Sequence, residues 1–225
     1  MAIPKVSSVA KLKHLARYMS GHPRLVWVFN EGDGLGSEEH EEYIDVYTDS
    51  NWAGCLRTRR STSGGIVVLD GGALKSWSST QATVAMSSGE AEYYALVKGA
   101  AEGLGMQALM KDLGWKAKVR ISVDASAAKS VASRVGIGKI RHLDVKFLWI
   151  QEAVRAGKIT IRKVRGVENP AGILTKPKGV DEVEDLLKSI GGYMVDKKKD
   201  EEKQRWADVE SDEDAGDMWG VQKHY

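Results

Sequence analysis

Residues 43–54 read Tyr43-Ile44-Asp45-Val46-Tyr47-Thr48-Asp49-Ser50-Asn51-Trp52-Ala53-Gly54. The alternation from Tyr43 to Asp49 predicts a strand, and that strand ends on a carboxylate followed by turn-forming residues. Outward from it, Ile66–Leu69 is a short apolar run. Asp70-Gly71-Gly72 makes a turn, and Ala73–Ser79 reads as the hairpin partner. Ser88 to about Leu113 has helical periodicity, Val119–Val123 reads as a strand, and Ala125–Arg134 and Leu143–Ala156 read as helices. Lys158–Val164 is a further strand. A short helix is expected after Pro170, with Pro177 stopping it. The first three strands should therefore pair antiparallel. The last two, separated by helices, should join in parallel through right-handed crossovers.

The remainder of the chain bounds what surrounds this unit. Its 225 residues allow one good domain with appendages, and 42% hydrophobic with 28% charged residues is ordinary for a globular protein. The net charge of +2 names no partner, but it is uneven. Residues 197–225 carry six Lys/Arg and nine Asp/Glu, leaving +5 on residues 1–196. Within that tail Asp208–Asp217 is acidic and lacks apolar periodicity, so it reads as disordered. Near the start, Val9–Met19 places Leu12, Leu15 and Met19 on one helical stripe that Gly21-His22-Pro23 ends. A short apolar stretch, Leu25–Phe29, follows. The sequence thus divides into residues 1–30, a Gly-rich acidic linker at 31–42, the main domain at 43–178, and a C-terminal helix with the acidic tail at 179–225. A single cysteine, Cys55, excludes an intramolecular disulfide and a Cys-rich zinc site. No apolar run approaches the ~20 residues of a membrane span, and no export signal opens the chain, so an intracellular protein without a membrane partner is expected.

Three acids stand out for chemistry. Asp49 closes the first strand and Asp124 the fourth; in an open sheet, ligands gather beyond strand ends beside helix starts. Taken singly, a strand-end Asp is more often a turn or helix cap. In Ser87-Ser88-Gly89-Glu90-Ala91-Glu92-Tyr93-Tyr94-Ala95-Leu96, Ser87 and Glu90 have capping-box spacing, which gives Glu90 a structural role reaching back to the Ser87 amide. Glu92 has no such role and sits beside Tyr93 and Leu96 at the edge of the buried stripe, where an uncompensated carboxylate is costly. Carboxylates clustered without His or Cys suit a hard cation such as Mg²⁺ or Mn²⁺. Two such ions about 3.5–4 Å apart can activate water and stabilise a leaving oxygen in phosphodiester cleavage. Arg57, Arg59 and Arg60 can neutralise phosphates. Ser61 and Thr62 can donate to phosphate or 2′-OH, and a solvated hairpin is the plainer alternative. Lys129, Arg134, Lys139 and Arg141 form a second basic group.

Several runs, in order, resemble the ribonuclease H domain of copia-type LTR retrotransposon Pol polyproteins. They are Tyr47–Gly54, Thr58-Arg59-Arg60-Ser61-Thr62-Ser63-Gly64-Gly65, Ser76-Trp77-Ser78-Ser79, Ser87–Leu96, Arg141-His142-Leu143-Asp144 and Ala171-Gly172-Ile173-Leu174-Thr175-Lys176-Pro177. The resemblance covers about residues 43–178, and the opening helix resembles the segment that ends the upstream reverse transcriptase. It implies an α/β ribonuclease H-like fold: a five-stranded mixed sheet, three strands antiparallel and two parallel, flanked by helices. It implies divalent-metal-dependent hydrolysis of the RNA strand of RNA–DNA hybrids, with two Mg²⁺ or Mn²⁺ ions, in a cytoplasmic particle or nucleus. Asp49, Glu92 and Asp124 match three of the family's four catalytic, metal-binding carboxylates. The fourth position departs, since the pattern Ala-Asp-hydrophobic-hydrophobic-Thr-Lys is here Ala171-Gly172-Ile173-Leu174-Thr175-Lys176. Glycine offers no side-chain ligand, so one ion should bind more weakly. Glu168, four residues earlier, is a conceivable substitute that Pro170 argues against. The alternative reading is a weakened or inactive nucleic-acid-binding relic of this enzyme. The segment between Val164 and Gly172 also lacks the histidine that some relatives carry there, and His142 reads as a cap or packing residue.

Overall fold

The computed structural model describes residues 6–22, 24–29, 42–136 and 147–195. Of the linker expected at 31–42 only Glu42 is among them, at the start of a strand, while Lys139, Arg141, His142 and the acidic tail lie outside them. The chain falls into two compact units, divided after Val26 and before Tyr193. The first holds α1 (Val6–Gly21), Arg24–Val26 of β1 (Arg24–Trp27) and Tyr193–Val195 of β7 (Gly192–Val195); β1 and β7 form a two-stranded sheet. The expected apolar stripe of α1 forms on a helix with no buried residue, Leu12, Leu15 and Met19 all being exposed.

The second unit, Trp27–Gly192, carries the main sheet. Its strands are β2 (Glu42–Asn51), β3 (Thr62–Leu69), β4 (Gly72–Thr80), β5 (Ala117–Val123) and β6 (Ile159–Lys163), in the spatial order β4-β3-β2-β5-β6. β2 and β4 run antiparallel to β3, while β5 is parallel to both β2 and β6. This is the five-stranded mixed sheet, flanked by helices, that the sequence predicts. The helices are α2 (Ser88–Asp112), α3 (Ser126–Ser133), α4 (Trp149–Arg155) and α5 (Val180–Lys188), with 3-10 turns at Gly166–Glu168 and Pro170–Leu174.

Alternation along β2 sends Ile44, Val46 and Thr48 toward α2. Ile44 and Val46 join Tyr93, Leu96, Ala100, Val119, Ile121 and Val123 in one buried cluster. Glycines on α2 set the distance. A Cβ on Gly99 would come within 2.3 Å of Thr48 Cγ2, and one on Gly103 within 2.8 Å of Val119 Cγ1, so the helix backbone lies directly on the strands. Gly114, with φ of +89°, takes the left-handed conformation just past the helix end, where its amide donates to Lys111 O.

The sequence places the start of β3 too late. Thr62-Ser63-Gly64-Gly65 has no apolar pattern, yet its backbone pairs on both sides, Asn51↔Thr62 to Asp49↔Gly64 with β2 and Thr62↔Thr80 to Gly65↔Trp77 with β4. Ladder pairing, not an apolar side-chain pattern, marks this half of the strand. The expected helix after Pro170 is a 3-10 turn that Asn169 caps, its Oδ1 accepting from Ala171 N at 3.2 Å.

Candidate active site

Parallel pairing puts Tyr47 of β2 opposite Ser122 of β5. Two residues further along each strand, on the same face, come Asp49 and Asp124. The two acids therefore meet at the carboxyl ends of neighbouring strands. Glu92 reaches the same point from the first turns of α2, where Ser50 N donates to its Oε1 at 3.2 Å. Each of the three offers a carboxylate oxygen, and these oxygens lie within 4.8 Å of one another. Asp49 and Glu92 are buried, at 1% and 8% exposure, and Asp124 is half-buried.

Three carboxylates this close and this dry cannot all ionise without compensation. Burial, followed by the charges of Asp49 and Asp124, pushes the Glu92 carboxyl up to about 8. Burial and the Asp49 charge raise Asp124 as well. Glu92 Oε2 is buried and finds no hydrogen-bond partner among the described residues. An all-oxygen donor set with an orphaned carboxylate oxygen is what a hard divalent cation requires, so the three residues fit such an ion.

Glu90, two residues away, is otherwise engaged. Ser87 Oγ accepts from Glu90 N at 3.2 Å, as capping spacing predicts. The Glu90 carboxylate accepts from Met86 N at 2.7 Å and from the Tyr94 hydroxyl at 2.5 Å.

Two partners of Asp49 come from the segment after β6, and the local sequence pattern gave neither a role. Lys176 Nζ donates to Asp49 Oδ1 at 2.8 Å, and the Thr175 hydroxyl donates to Oδ2. Asn169, fully buried, ties this segment to the strand by donating from Nδ2 to Thr48 O at 2.9 Å. Burial lowers the Lys176 affinity for its proton, but the bond to Asp49 and the charges of Asp49, Asp124 and Glu92 outweigh it and raise its pKa. The absence of a side chain on Gly64 makes room. A Cβ there would lie 2.7 Å from Thr175 Cγ2 and 3.0 Å from Ala171 O. The sequence signal for Thr175 and Lys176 lay in the run Ala171–Lys176, whose polar end no periodicity marks.

Gly172 is buried in the Pro170–Leu174 turn, and a Cβ on it would meet Lys178, at 3.0 Å from Cε and 3.6 Å from Nζ. Glu168 lies in the separate turn Gly166–Glu168, exposed and ion-paired with Arg165. Pro170 opens its own turn, so no helix carries Glu168 toward the acids.

Of the expected nucleic-acid contacts, Arg57, Arg59 and Arg60 are exposed in the turn that follows β2. Ser61 is not available to a ligand: it is fully buried, and its Oγ accepts from Ala53 N at 3.0 Å to close the turn. Thr62 is half-buried in β3, its amide donating to Asn51 Oδ1 at 2.7 Å. Lys129 and Arg134 are half-buried. An open cleft of about 800 Å³ beside Asp124 is lined by Tyr47, Arg162, Lys163, Arg165 and Glu168, a basic surface that the sequence reading passed over.

No protein-family model matches the chain. It is 29% identical over 167 residues to the retrovirus-related Pol polyprotein from transposon TNT 1-94 of Nicotiana tabacum, covering 73% of this chain and 12% of that protein. It is 27% identical over 199 residues to the corresponding polyprotein from transposon RE1 of Arabidopsis thaliana, covering 87% of this chain and 13% of that one. The chain thus spans about an eighth of the length of these relatives. Among solved structures it is similar to the N-terminal ribonuclease H domain of a Mycobacterium tuberculosis protein, at TM-score 0.44 and 16% identity, over 66% of this chain and 99% of that one. A similar match, TM-score 0.41 and 18% identity, is to a ribonuclease H1 in complex with an RNA/DNA hybrid, over 58% of this chain and 92% of that one. A ribonuclease H domain of a Pol polyprotein fits these sequence relatives and the mixed sheet. Among the described residues no helix is long and apolar enough to cross a membrane.

Proposed function

We propose that residues 43–178 form a divalent-metal-dependent ribonuclease H that hydrolyses the RNA strand of RNA–DNA hybrids, within a copia-type retrotransposon polyprotein. The observation that carries this reading is the meeting of Asp49, Glu92 and Asp124 with one carboxylate oxygen of Glu92 left without a partner. These three side chains would hold Mg²⁺ or Mn²⁺. A bound ion supplies a water that is nucleophilic near neutral pH and a positive charge for the phosphate oxygens. Asp49 is fixed for this task by Thr175 and Lys176, and Glu92 by the Ser50 amide. Arg57, Arg59 and Arg60 hold backbone phosphates, and the cleft of Arg162, Lys163 and Arg165 beside Asp124 offers the strand a second line of cations. In the same reading residues 1–30 close the reverse transcriptase of the polyprotein, 31–42 link it to the nuclease, and 179–225 extend beyond it.

The second reading, a relic that binds hybrids without cutting them, draws on Gly172, which brings no carboxylate. One experiment separates them. The chain is incubated with labelled RNA–DNA hybrid and Mg²⁺ or Mn²⁺, beside Asp49→Asn and Gly172→Asp. Cleavage that Asp49→Asn abolishes supports the enzyme. Cleavage seen only with Gly172→Asp supports the relic. Cutting of DNA-only duplexes at the same rate would count against both.

A further inference from the structure

The run Ala171–Lys176 brings no fourth carboxylate, while the lysine that the resembled pattern also carries reaches Asp49. Both oxygens of the buried Asp49 are engaged from one turn, Oδ1 by Lys176 Nζ at 2.8 Å and Oδ2 by the Thr175 hydroxyl. Lys176 stands four residues after Gly172, and its charge acts on Glu92 and Asp124 as well as on Asp49. An ammonium hydrogen-bonded inside a cluster of acids does two things to an incoming divalent ion. It repels the ion, and it holds an oxygen that the ion needs. With no carboxylate at 172, the cluster has three negative charges to share, which one ammonium and one divalent ion balance. The orphaned Glu92 Oε2 leaves donor capacity for such an ion beside the lysine.

We propose that Lys176 is a resident cation of this centre, its ammonium standing in place of one of the two divalent ions, so that the centre takes a single ion. The proposal rests on the metal-centre reading above and deepens it. Lys176 is a positioning residue, acting through Asp49. It keeps the acids together when no metal is bound and leaves Glu92 and Asp124 for the ion. Its removal should free Asp49 Oδ1 and let a second ion in.

The test is calorimetric titration of the full chain with Mn²⁺, beside Lys176→Met, Lys176→Gln, Lys176→Arg and Glu92→Gln, with thermal unfolding in EDTA and in Mn²⁺. The expected result is one Mn²⁺ for the unaltered chain and for Lys176→Arg. Lys176→Met or Lys176→Gln should bind a second Mn²⁺, or bind the first at least tenfold more tightly. Those two variants should also melt lower in EDTA and recover in Mn²⁺. Two ions of comparable affinity on the unaltered chain would overturn the proposal. So would unchanged or weaker Mn²⁺ binding after loss of the lysine charge, and in either case the metal centre itself stands if Glu92→Gln weakens binding. No Mn²⁺ binding by any form overturns both the lysine's role and the metal-centre reading.

Discussion

Glu92→Gln should make the metal-free protein more stable while removing its capacity for metal. In the folded chain the Glu92 carboxyl is pushed up to about 8, from 4.5, by burial and by its two acidic neighbours. The folded state therefore holds a proton on Glu92 between pH 4.5 and 8 that the unfolded state has released. Stability must fall as pH rises through that window and level off above it. At 1.36 kcal/mol per pKa unit, the cost is about 3 kcal/mol at pH 7 and about 5 kcal/mol above pH 8. Glutamine avoids that cost. It keeps the acceptor for Ser50 N, and its amide can donate to the Asp49 or Asp124 carboxylate. The assay is urea unfolding in EDTA from pH 4.5 to 9. The two proteins should be equal near pH 4.5 and diverge in favour of the variant toward pH 8, while Mn²⁺ should raise the midpoint of the unaltered chain alone. Equal stability across the whole range, or a less stable variant at pH 8, would refute the reasoning.

Further outcomes follow from single contacts. Asn169→Ala should cost about 2–3 kcal/mol in urea unfolding, because it strips buried partners from Thr48 O and Ala171 N. Gly64→Ala should cost about 1–3 kcal/mol by pushing Thr175 away from Asp49, and calorimetry should show the accompanying change in metal binding. Arg120 makes paired bonds of 2.6 and 2.7 Å to Asp45 and lies 4.4 Å from the Tyr43 ring centroid. Arg120→Ala should cost about 1–2 kcal/mol in the same unfolding assay, with no effect on Mn²⁺ affinity.

The strand-helix order was legible because periodicity is local. The strands and the long α2 announced themselves in their own apolar residues or in the turns that bound them. Three of the site's acids were legible for a related reason, since strand ends and a helix start are places that local structure marks. The first half of β3 was not legible, because Thr62–Gly65 owes its extended form to ladders with Asn51 and Thr80 rather than to any pattern of its own. Ser61 misled for the converse reason: its hydroxyl serves a backbone amide across the turn, which composition does not reveal.

Residue identity alone determined that three acids stood at ends of elements and that hard-cation chemistry was a use to which they could be put, while the family resemblance implied that a fourth was missing at 172. Only the folded chain decided that β2 and β5 are neighbours in register, so that the acids meet, and that the segment after Gly172 returns to Asp49 with a lysine and a threonine. The reason is distance along the polypeptide. Residues 49 and 176 touch although β3 to β6, α2 to α4 and a capped turn lie between them along the chain, and side-chain patterns within a dozen residues carry no record of which remote group will fill a given position.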